Sequence, residues 1–130
     1  MLIKLITVIL MVVAACTLCS QSQPADITLE GEVVYSGLDA LPWHSQIYIH
    51  VTDETTAKTV AKQNIVTEGE QIPITFSVDI PSREFFRNHN YSVCAEIRIF
   101  ERLAFTCGKP VVFHGTKRPK QVRLELQRVK

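Results

Sequence analysis

The sequence predicts an all-β fold, a small antiparallel β-sandwich of about seven strands following an N-terminal lipoprotein signal peptide. Two windows, residues 46–51 and 72–80, alternate apolar and polar side chains with a period of two. That is the mark of a strand buried on one face. Outside the opening apolar stretch, no window sustains a helical period. About seven such strands in a chain of this length suit two sheets, each with one face in solvent.

Residues 27–35 begin with alternation and are rich in β-branched side chains, so they read as the first strand. Ser36-Gly37 and Leu41-Pro42 punctuate a loop. In residues 46–51, Ile47, Ile49 and Val51 point one way and Tyr48 and His50 the other. Residues 59–66 are a weaker strand, and Glu68-Gly69-Glu70 turns the chain. Ile72, Ile74, Phe76, Val78 and Ile80 share one face, with Pro73 at an edge or strand start because it has no N–H. Residues 82–88 suit one helical turn with Ser82 as N-cap. Residues 91–97 and 103–112 read as a hairpin around the loop Ile99-Phe100-Glu101-Arg102, and Val122, Leu124 and Leu126 mark the last strand, frayed near Val129.

The N-terminus carries a separate signal. Lys4 precedes an apolar run over residues 5–15, the n-region and h-region of a signal peptide. The run is too short for a transmembrane helix, which needs about 20 apolar residues. It closes on Val13-Ala14-Ala15-Cys16, the pattern of a bacterial lipobox, in which a small residue precedes the cut. Cys16 would then carry N-acyl and S-diacylglycerol chains. An ordinary secretory signal is the plainer alternative. Cys19 is a poorer acceptor because Leu18 before it is large. Thr17 follows Cys16, where an aspartate would favour the inner membrane, so the expected location is the outer membrane. The expected domains are 1–15 signal peptide, 16–25 lipidated N-terminus and polar tether, and 26–130 the β domain.

An exported domain meets an oxidising compartment in which disulfides persist. With a four-residue loop at 99–102, Arg98 faces Leu103, and counting back sets Cys94 opposite Cys107. Opposed strand residues are close enough for a bridge after local adjustment. Two free thiols are the alternative.

Without residues 1–15 the basic and acidic residues balance, which argues against nucleic-acid binding. Yet Lys109, Lys117, Arg118, Lys120, Arg123, Arg128 and Lys130 crowd the end of the chain, opposed there by Glu125. They suit a solvated strand face, or contact with anionic headgroups or an acidic partner. His44, His50, His89 and His114 lack metal-ligand spacing. Asp53 and Glu54 read as solvated acids at a strand end. No catalytic or phosphate-binding motif is present in the sequence, so the expectation is no enzyme, no cofactor and no small-molecule substrate.

Several pieces together carry a family resemblance. They are Leu41-Pro42, the strand leading to Asp53 near Thr55, Pro73 three residues before Phe76, and Tyr91, Ala95 and Ile97 followed by a return through Leu103 and Phe105. In this order and spacing they resemble the YbaY/YscW lipoprotein family over residues 26–129. The resemblance implies a non-catalytic β-sandwich lipoprotein. YscW-type members are pilotins of type III secretion, which escort a secretin subunit to the outer membrane; YbaY-type members are envelope lipoproteins without such a client. The cysteine pair is no part of the family pattern, and the hairpin loop lacks the usual glycine. Apolar residues in that loop and in a short turn nominate Ile99, Phe100, Phe85 and Phe86 as partner contacts. Against this, one of Phe85 and Phe86 is expected to plug the domain, and Phe100 has the alternative of folding back on the sheet.

Overall fold

The computed structural model describes residues 26–37 and 40–129. The signal peptide, the tether, Cys16, Cys19 and Lys130 lie outside the described residues. The chain runs through β1 (Ile27–Tyr35), β2 (Gln46–Asp53), β3 (Lys58–Val66), β4 (Ile74–Ile80), a 3-10 turn (Ser82–Glu84), β5 (Asn90–Ile99), β6 (Arg102–Cys107), β7 (Val111–His114) and β8 (Val122–Arg128).

The all-β expectation holds, but the layering differs from two separate sheets. The strands follow one path, β3-β2-β5-β6-β8-β1-β4, with β7 also paired to β5. The two ends of the path, β3 and β4, lie beside each other without pairing, so the sheet is nearly closed into a barrel. Nor is it wholly antiparallel. β1 and β8 run parallel, with Gly31 opposite Val122 and Tyr35 opposite Leu126. A side chain at Gly31 would place its Cβ 2.1 Å from the Val122 carbonyl oxygen, so only glycine admits this approach.

Alternation builds the interior as the sequence indicated. Leu29, Val33, Ile47, Ile49, Val51, Ile74, Phe76, Val78, Ile80, Val93, Ala95, Ile97, Leu124 and Leu126 are buried in one cluster. β3 looks weaker in sequence because it carries a bulge. Val51 pairs with Ala61 and Thr52 with Thr59, so Val60 is the extra residue, and both Val60 and Ala61 are buried. A bulge breaks the period of two without ending the strand.

Three local expectations are corrected. Residues 103–112 are two strands, because Gly108-Lys109-Pro110 interrupts the ladder between β6 and β7. Ser82 is the first residue of the 3-10 turn; the cap position is Pro81, and no side chain caps it. The hairpin loop has two residues, since Ile99 pairs with Arg102. A bulge at Ala104 then sets Phe105 opposite Ile97, so the count leading to Cys94 slips by one. The Cys94–Cys107 disulfide is present all the same, as a diagonal link with Cα atoms 5.8 Å apart.

Strand direction divides the barrel into two ends. β1 starts at Ile27, paired with Ile80, and the 3-10 turn, the β2–β3 turn and the β7–β8 loop lie at that entry end. The β5–β6 turn, the start of β2 and the end of β8 lie at the other, the hairpin end. Nine residue steps along β5 separate the two by about 30 Å.

Candidate functional site

Of the seven large apolar side chains exposed among the described residues, five gather at the hairpin end, while Phe86 and Val112 lie toward the entry end. Phe100 is 81 % exposed and Trp43 is 62 % exposed; Val66, Leu103 and Val129 are exposed as well. Register puts them at one end: Val66 pairs with Gln46, Gln46 with Arg98, and Arg98 with Leu103. The Val129 amide bonds to the Ala104 carbonyl at 2.9 Å. Trp43 is held in a short loop by Ser45 and Thr67, which bond back to Pro42, and its ring lies against Gly69.

The backbone of this end is strained. Phe100 (φ 49°) and Glu101 (φ 65°) both take the left-handed conformation, as does His44 (φ 66°) beside Trp43. A two-residue hairpin turn of this hand normally uses Asn-Gly or Asp-Gly. Each non-glycine residue there costs about 1–2 kcal/mol. Leaving a phenylalanine in water forgoes a further 1.5–3 kcal/mol or so of burial. Strain combined with apolar exposure is typical of sites kept for contact rather than for stability.

The four nominated contacts do not form one surface. Phe100 is at the hairpin tip and does not fold back. Ile99 is a β5 residue, half-buried against the core. Phe85 and Phe86 are at the entry end. Phe85 plugs that end, stacked on Tyr91 with ring centres 5.1 Å apart, while Phe86 stays exposed. Trp43 and Val66 were missed in the sequence. Trp43 sits in a loop with no periodicity to betray it, and Val66 looks like an ordinary strand residue.

The entry end holds a polar knot that the sequence also hid. Asp53 is only 2 % exposed, not solvated. Its carboxylate accepts from His89 Nδ1 at 2.7 Å and from the amides of Thr55 (3.0 Å) and Thr56 (3.3 Å). Burial pushes the Asp53 carboxyl up, but these bonds, His89's foremost, outweigh it and hold it below its usual range. Tyr91, fully buried, accepts from the Phe86 amide at 2.6 Å. Burial raises its phenol above the usual range, the Phe86 amide partly opposes this, and the Asp53 charge adds to the rise. Glu54 is bonded to Ser92.

A model of the type III secretion system lipoprotein chaperone family, YscW, matches residues 24–126. The chain belongs to this YscW family. That family is one of lipoprotein chaperones of type III secretion systems. The chain's fold is similar to a solved structure of an alternative pilotin from the type II secretion system of Vibrio cholerae, at 28 % identity and a TM-score of 0.75. That similarity covers 82 % of this chain and 99 % of the other. No curated protein sequence matches.

Proposed function

We propose that this chain is a pilotin, held at the outer membrane by lipid on Cys16 and facing the periplasm, and that it grips a secretin client with the hairpin end of the barrel. The observation that carries the contact surface is Phe100, exposed on a turn whose conformation disfavours it. Around it, Trp43, Val66 and Leu103 supply further apolar surface. Large aromatic side chains are the usual anchors of a protein contact. The lipobox ending at Cys16 and the Thr17 after it support the anchor and its membrane.

The test is capture of the secretin from its own envelope by tagged pilotin. Phe100→Ala is expected to lower capture at least tenfold, in line with a central aromatic anchor. Melting should stay within about 0.5 kcal/mol of the parent, as for an exposed site. Loss of stability with undiminished capture would place Phe100 in the fold and the client elsewhere.

A further inference from the structure

Beyond the client, the entry end presents a cationic surface. Arg83 follows Ile80, the partner of Ile27, by three residues. Gly115 donates to the His89 carbonyl at 3.0 Å and lies so close to the Phe86 and Arg87 carbonyls that a Cβ would stand 2.5 Å from the first. The β7–β8 loop is thereby pressed onto the 86–89 segment. That loop brings Lys117, Arg118 and Lys120 to the end from which Arg83 and Arg87 also project, all exposed. None of the five has an ion-pair partner among the described residues.

Two of the acids at this end are paired with basic groups, whereas Asp79 and Glu54 bond neutral hydroxyls and keep their charge. Asp53 is buried against His89, Glu84 pairs with Lys58 at 2.9 Å, Asp79 accepts from Thr28 at 2.7 Å, and Glu54 bonds Ser92. Asp26 is exposed. At the same end, beside Arg83, Phe86 is 47 % exposed. An exposed aromatic ring at the same end as arginine and lysine side chains suits the boundary between anionic headgroups and acyl chains.

Chain connectivity supplies the occupant. β1 begins at this end, one residue after Asp26. The ten residues from Cys16 to Ala25 can span at most about 35 Å. We infer that the entry end docks on the anionic phospholipid surface of the anchoring leaflet, through Arg83, Arg87, Lys117, Arg118 and Lys120 together with Phe86, so that the hairpin end points away from the membrane. This rests on the lipid anchor at Cys16. Each cation near an anionic leaflet contributes roughly a fivefold gain in association.

The test uses the lipidated pilotin in vesicles of phosphatidylcholine, with or without phosphatidylglycerol, both containing brominated lipid as a quencher. Trp43, the single tryptophan, reports the hairpin end. A Trp43→Phe, Phe86→Trp variant reports the entry end. Expected are an unquenched parent, and a Phe86→Trp signal quenched with phosphatidylglycerol and released near 1 M salt, where the screening length is about 3 Å. Replacing Lys117, Arg118 and Lys120 by Gln should weaken docking roughly a hundredfold and abolish the difference between vesicles. Equal quenching with and without the anionic lipid, or quenching of Trp43 instead, overturns the docking while the anchor stands. Failure of the protein to float with vesicles at high salt removes the anchor, and the docking with it.

Discussion

Phe100 and Asp53 illustrate opposite ways in which one residue departs from the expected pattern. Phe100 was conspicuous in the sequence because an apolar residue stood in a turn that lacked glycine, and that signal survives in the fold. Asp53 carried no such signal. Its partner His89 lies 36 positions away and meets it only because β2 and β5 pair up to Asp53 and Tyr91. Folding holds the Asp53 carboxyl below its unfolded value of about 3.9. Its stabilisation is therefore present above that value and is lost as pH falls through the folded value. Asp53→Asn is expected to lose about 1.5–3 kcal/mol near neutral pH, the usual worth of hydrogen bonds to a charged group. Urea unfolding of both proteins should show the gap closing on acidification below about pH 4. A gap independent of pH would mean that the charge on Asp53 is immaterial.

Among the elements, the strands were legible where alternation was uninterrupted, as in β2 and β4, and blurred where a bulge intervened. The extra residues Val60 and Ala104 shift the register by one without changing the composition of either strand. No count along the sequence reveals which residue is the extra one. The expected opposition of Cys94 and Cys107 failed for this reason, although the bond itself is made. It joins β5 to the end of β6 next to the Gly108-Lys109-Pro110 break, where ladder bonds to β5 lapse until Val111. With a sequence separation of 13, chain entropy gives the bridge about 3 kcal/mol. Replacing both cysteines by serine should lower the melting temperature by about 12–24 °C, at roughly 4–8 °C per kcal/mol in a domain of this size. A thiol count of two in periplasmic material would contradict the bridge directly.

At the scale of the molecule, the core among the described residues is built mainly from the strands β1 through β8. Anchoring and folding should therefore be separable. Cys16→Ser is expected to leave melting unchanged and to remove the protein from outer-membrane fractions; if the variant still sediments with those membranes in high salt, another group holds it there. The all-β class was readable from periodicity, but closure was not, because the parallel β1–β8 pair joins segments from opposite ends of the domain. Arg123 and Glu32, which bridge those strands at 3.2 Å, are 91 residues apart. Bringing them together costs about 2 kcal/mol more loop entropy than closing a ten-residue hairpin. A chain threaded across a membrane from its N-terminus can zip β2 with β3 and β5 with β6 while the remainder is still arriving. β1 must wait with one flank bare until residues 122–128 emerge. β8 is thus the latch of the barrel, and in a chain exported from its N-terminus the arrival of residues 122–128 sets when the fold is finished.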